Sequence, residues 1–187
     1  MNLDTVAMNE ISKKWGWILA IGVLMLILGT IGIGATFALT LTTVMFFGIL
    51  ILIGSGFQLL DAFRYKGWSL IGKMLIALLY LAVGFIMVKN PLLASTTLTL
   101  LIAWALIAVG IVRIIMAFQL RGVDGWIWTL ISGVAAIVLG IMILNNWPES
   151  GLWVIGMFVA IELIFNGWGM IMLALAVKNR RSGDIQR

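Results

Sequence analysis

Residues 147–177 read WPESGLWVIGMFVAIELIFNGWGMIMLALAV, and one carboxylate inside that apolar run, Glu162, decides how the rest of the chain is read. Counted from Leu152 at about 1.5 Å per residue, Glu162 lies roughly 15 Å along a helix. That is near the middle of a hydrocarbon core about 30 Å thick. A carboxylate at such depth is expensive and is expected to face protein or a water-filled cavity, where it has a partner. Asn166 shares its face at the next helical turn. The run is therefore a membrane span, and the partner must come from the other spans.

Composition agrees. Of 187 residues, 63% are hydrophobic and 10% charged, with a mean hydropathy of +1.19, which excludes a domain that covers itself with charge. Cysteine and histidine are both absent. Disulfides, thiolate chemistry, imidazole acid-base catalysis and the usual zinc or haem ligands go with them. No catalytic residue, cofactor site or metal site is expected, and the chain is read as a non-enzyme.

Uncharged runs of about 20 residues, the length a spanning helix needs, recur from Gly16 to Ala38 and from Leu41 to Leu60, parted by Leu39 and Thr40. The segment from Asp61 to Trp68 breaks the pattern with Arg64 and Lys66. A third span, Ser69 to Val88, contains Lys73. After Lys89-Asn90-Pro91 a fourth, about Leu92 to Phe118, contains Arg113. A fifth runs from Trp126 to Leu144 and a sixth from about Leu152 to Val177. The expectation is an all-α, polytopic membrane protein of six helices. A short segment, 1–14, precedes a membrane domain, 15–178, and a basic tail, 179–187, follows it. The first apolar run is longer than a signal-peptide core and lacks a small-residue cleavage site, so it is expected to stay as an anchor.

Lysine and arginine set the orientation. With Lys89 alone outside, 11 of the 12 basic residues fall on one side, so both termini are expected in the cytoplasm. Trp15, Trp17, Trp68 and Trp126 at the inner ends, with Trp147 and Trp153 at the outer, suit aromatic belts. The tail residues Lys178, Arg180, Arg181 and Arg187 read as contacts to anionic lipid head groups at the cytoplasmic face rather than to nucleic acid. The lipid bilayer is thus the main partner, with a homo-oligomer admitted beside it.

A repeat runs through the spans. Gly22 and Gly29, Ala77 and Gly84, and Gly133 and Gly140 are small residues seven apart in the odd spans, while Gly54, Gly110 and Gly167 fall at similar points in the even ones. Small residues at such spacing mark helix contacts. They suggest three hairpins in parallel repeat, about 16–60, 68–118 and 126–177. The segments GSGFQLLDAFRYKGW, GIVRIIMAFQLRG and WPESGLWVIGMFVAIELIFNG resemble the HdeD family of bacterial inner-membrane proteins, over roughly residues 15–178. The resemblance implies a six-span protein in a bacterial cytoplasmic membrane with a role in acid or general stress tolerance. It supplies no catalytic residues, and the first hairpin lacks the proline that Pro91 and Pro148 mark in the others.

Other patterns reduce to packing. Gly29-Thr-Ile-Gly32-Ile-Gly34 has neither the strand nor the opening helix that a phosphate loop needs. The 11 methionines form no cluster at a span end and read as filler. Gln58, Tyr80 and Asn166 are expected to hydrogen-bond across helices. Lys73 and Arg113 each lie roughly 7 Å inside a span. Because helical side chains lean toward the amino terminus, Lys73 leans to the cytoplasm and snorkels, while Arg113 is aimed at the depth of Glu162. Arg113 and Glu162 are the expected intramembrane pair. In an alternative reading, Glu162 is the titratable site of a small transporter or proton-coupled permease.

Overall fold

The computed structural model of the chain describes residues 15–184, with side chains to Lys178. Segment 1–14, with Asp4, Glu10, Lys13 and Lys14, lies outside the described residues. So do residues 185–187 and the side chains of Arg180 and Arg181. Every regular element among the described residues is helical: α1 (Trp15–Gly34), α2 (Thr36–Ala62), α3 (Trp68–Lys89), α4 (Pro91–Gln119), α5 (Trp126–Asn145), a 3-10 turn (Glu149–Leu152) and α6 (Val154–Asp184). All six α-helices are long and apolar enough to cross a membrane. Their surfaces carry the solvent's signature, since Leu24, Ile31, Phe46, Phe57, Leu101 and Phe165 are all exposed. In water so much apolar surface would drive association; in lipid it is ordinary.

The boundaries follow local chemistry. The first turn falls at Ala35 and not at Leu39-Thr40, just after Gly32 and Gly34, which weaken a helix through their backbone freedom. α2 also runs past Leu60 to Ala62, so Asp61 is helical rather than part of a loop. Pro91 takes the first position of α4, where its missing N–H costs nothing. Gly67 and Gly125 hold the positive φ of 69° and 94° that the chain needs before α3 and α5 and that glycine adopts without strain.

The chain divides into two compact units, Met1–Thr36 with Gly156–Arg187, and Phe37–Ile155. In the first, α1 lies directly on α6. A Cβ added at Gly22 would sit 2.9 Å from the Gly167 carbonyl oxygen, and one at Gly29 would sit 2.8 Å from that of Ala160. In the second, Gly48 of α2 abuts Met87 of α3, Gly84 of α3 abuts Leu52, and Gly110 of α4 faces Gly133 of α5, while Gly140 faces Ala103. Within this unit the small residues therefore join α2 to α3 and α4 to α5. α3 and α4, paired in the expected hairpins, also touch, but not through these small residues.

Each even helix carries three small residues seven apart: Gly48, Ser55 and Ala62 on α2; Ala103, Gly110 and Ala117 on α4; Ala160, Gly167 and Ala174 on α6. All nine are buried. Seven residues make just under two turns, so the three stay on one face and let the partner backbone approach. Ser55, buried with its hydroxyl donating to the Leu52 carbonyl at 2.7 Å, takes the place expected of Gly54. A shift of one residue rotates a position by about 100°, and Gly54 accordingly faces open space. Beyond α5 the turn is tied down by Ser150 Oγ, which donates to the Ile143 carbonyl at 2.9 Å, and by Trp147 Nε1, which donates to Thr96 O at 3.2 Å.

Candidate functional site

The α2–α3 pair carries a polar cluster on this scaffold. Asp61 ends the stripe of α2 that includes Gly54 and Gln58, and Lys73 begins the stripe of α3 that continues through Ala77, Tyr80 and Gly84. The antiparallel register that brings Gly48 to Met87 and Leu52 to Gly84 brings Asp61 to Lys73. Lys73 Nζ donates to Asp61 Oδ2 at 2.9 Å and lies 3.5 Å from the centre of the Tyr65 ring. A carboxylate on one side and an aromatic face on the other hold the ammonium. Lys73, expected to lean toward the start of its span, meets Asp61 at the end of the neighbouring helix there.

Beside this pair an open groove of about 550 Å³ runs along α2, lined by Leu50, Ile51, Gly54, Phe57, Gln58 and Asp61, with Tyr80 on its α3 side. Gly54 is what opens it, since a Cβ there would meet no atom within 4 Å. Gln58 is half-buried and Tyr80 exposed. Neither makes a side-chain hydrogen bond among the described residues, so the expected bonds across helices are not formed, and both polar groups are left to the groove. The structure thus unites Gln58, Lys73 and Tyr80 and adds Asp61, which is helical, and Tyr65, which lies in the expected loop. The available signal was the glycine register, which sets Asp61 opposite Lys73.

The remaining expected residues lie elsewhere. On α6 the contact with α1 follows Ala160, Ile164, Gly167 and Ile171. At 3.6 residues per turn Glu162 lies about 160° around the helix from that line. Glu162 and Asn166 are both exposed, and Asn166 makes no side-chain hydrogen bond among the described residues. Arg113 is exposed on α4 with its Cβ 3.1 Å from where a Cβ at Gly133 would sit, so its root flanks the α4–α5 contact. Its small neighbours Gly110 and Ala117 are buried, as expected of a packed face. Arg113 and Glu162 belong to different units, and the contacts within each leave the expected pair undescribed. The glycines named for packing, Gly22, Gly29, Gly84, Gly133 and Gly140, are all buried at helix contacts. Lys178 at the end of α6 lies 5.1 Å from the Trp15 ring centre on α1.

The profile of one family, described as a short repeat of unknown function (DUF308), matches the chain twice, over residues 20–89 and 75–145. The first match runs from α1 to α3 and the second from α3 to α5, so each sets an even helix between two odd ones. Protein HdeD of Escherichia coli (strain K12) is 28% identical over 107 residues, which is 57% of this chain and 56% of that protein. The proteins of the same name in Escherichia coli O157:H7 and Shigella flexneri show the same figures. The chain thus spans a little over half the length of these relatives. No solved structure matches.

Proposed function

The chain belongs to the family of short repeats of unknown function (DUF308), and from that premise we propose a multi-pass protein of a bacterial cytoplasmic membrane with a non-enzymatic role in acid or general stress tolerance. The observation that carries this reading is the similarity to proteins named HdeD over more than half the chain. The distribution of lysine and arginine supports an orientation with both termini in the cytoplasm. A sequence without cysteine or histidine favours action by contact with lipid or protein over turnover.

The test is acid survival of a strain lacking the gene, complemented with wild type, Gly110→Leu or Glu162→Gln. Wild type and Glu162→Gln should restore survival, while Gly110→Leu, whose helix contact is blocked, should not. Equal survival of the deletion strain and its wild-type complement would overturn the proposal. Loss of survival in Glu162→Gln at normal protein level would replace it with proton coupling at that carboxylate. Reporter fusions after Lys66, Arg121 and Lys178 should all report the cytoplasm, and one external reporter would break the orientation.

A further inference from the structure

The groove on α2 has two ends of different chemistry. From Leu50 to Asp61 it extends about 16 Å at the helical rise per residue, close to half of a hydrocarbon core about 30 Å thick. Its length therefore fits one acyl chain in one leaflet. The Leu50 end is apolar and Gly54 leaves the floor bare. The other end holds a carboxylate and an ammonium side by side, and these stay 45% and 35% exposed, open to a second pair of charges. Gln58 and Tyr80, whose amide and hydroxyl have no protein partner among the described residues, lie along the groove between its ends.

We propose that this groove seats one phospholipid with a primary ammonium in its head group. The acyl chain lies over Gly54 between Leu50 and Phe57, Gln58 and Tyr80 donate to the glycerol ester oxygens, the ammonium donates to Asp61, and the phosphate accepts from Lys73. Charge complementarity selects this occupant. A head group that is only anionic could use Lys73 but would bring its phosphate beside Asp61 with no ammonium of its own for that carboxylate. A quaternary ammonium has no N–H to donate. The site rests on the membrane-span reading and not on acid tolerance, so the two fail separately.

Native mass spectrometry of the full chain in detergent, incubated with equimolar phosphatidylethanolamine, phosphatidylcholine and phosphatidylglycerol, reads the site directly. Wild type should retain one phosphatidylethanolamine, favoured over phosphatidylcholine about tenfold or more, as loss of a charged hydrogen bond implies. Gly54→Phe, whose Cβ meets no atom within 4 Å, fills the floor and should abolish retention with little change in melting temperature. Asp61→Asn should erase the preference among head groups, and Gly169→Phe, in open space on α6, should leave retention as in wild type. Equal retention of the three lipids by wild type would overturn the proposal. So would undiminished retention in both Gly54→Phe and Asp61→Asn.

Discussion

The α2–α3 and α4–α5 pairs are built on one plan and carry different cargo. Gly48, Ser55 and Ala62 correspond to Ala103, Gly110 and Ala117, while Ala77 and Gly84 correspond to Gly133 and Gly140, and every one is buried. Around that shared seam the side chains part company. Where α2 has Gly54, Gln58 and Asp61, α4 has Val109, Arg113 and Met116; where α3 has Lys73 and Tyr80, α5 has Thr129 and Ala136. The seam itself also differs. Gly110 and Gly133 face each other backbone to backbone, where a Cβ on either would meet the other's carbonyl at 2.7–2.9 Å. α2 and α3 instead have Ser55 and Ala77 at the matching positions and bring their glycines together one repeat along, with a Cβ at Gly84 3.1 Å from the Gly48 carbonyl. The α4–α5 pair is thus the tighter contact and the α2–α3 pair the one with a groove. Repetition preserves the contact, and a single copy holds the polar cluster.

The largest expected effect would sharpen this contrast. A Cβ at Gly110 would meet the Gly133 carbonyl at 2.7 Å, and backbone has nowhere to go. Gly110→Leu should cost about 3 kcal/mol of stability in detergent, at the upper end of ordinary overpacking. At Gly84 backbone also approaches but stands farther off, with Leu52 N at 3.0 Å and Gly48 O at 3.1 Å behind the Leu52 side chain at 2.9 Å, so Gly84→Leu should cost somewhat less, about 1–2 kcal/mol. Equal losses in thermal unfolding would erase the distinction between a tight pair and an open one. Gly140→Leu, facing the Ala103 carbonyl at 2.8 Å, should group with Gly110→Leu.

A smaller effect concerns the ion pair. Asp61→Leu and Lys73→Leu should each lower the melting temperature by less than any of the three glycine variants, because both side chains are partly exposed. The double variant should recover part of the loss, since stranding one charge is worse than removing both. Strict additivity in that cycle would mean the pair forms no coupled unit. The least effect is expected at Gly54. Gly54→Ala meets no atom and restores helix propensity, so stability should rise by about 0.5–1 kcal/mol. A clear loss would place Gly54 in the seam and Ser55 outside it.

How far all this is legible in the sequence depends on which force sets each feature. The six helices follow from hydrophobic length, the force a bilayer imposes most strongly, and their ends move by only a few residues. Gly22, Gly29, Gly84, Gly133 and Gly140 stand out because close backbone approach tolerates little else. Helix partners are harder: a run of small residues shows that a face is packed without showing against what, so Gly84 reads as a packed position while nothing in the sequence says that it meets α2. Gly54 misled because glycine is also common where nothing touches it. Asp61 is hard to read because a charge at the end of an apolar run looks the same whether it ends a helix or starts a loop, and Tyr65 lies in the loop, where nothing in the sequence ties its ring to Lys73. Only the register between α2 and α3 makes Asp61 the partner of Lys73.

That register is open to direct measurement, since the chain has no native cysteine. Cysteine pairs at Gly48 with Met87, and at Arg113 with Gly133, place Cβ atoms at 2.8 and 3.1 Å, near enough for a disulfide once the helices give the small shift a single side chain demands. Gly54 with Met87 serves as the control. On mild oxidation in membranes the first two pairs should cross-link and the control should not. Failure of both pairs to link, or equal yield from the control, would contradict the pairing of α2 with α3 and of α4 with α5 on which the account depends.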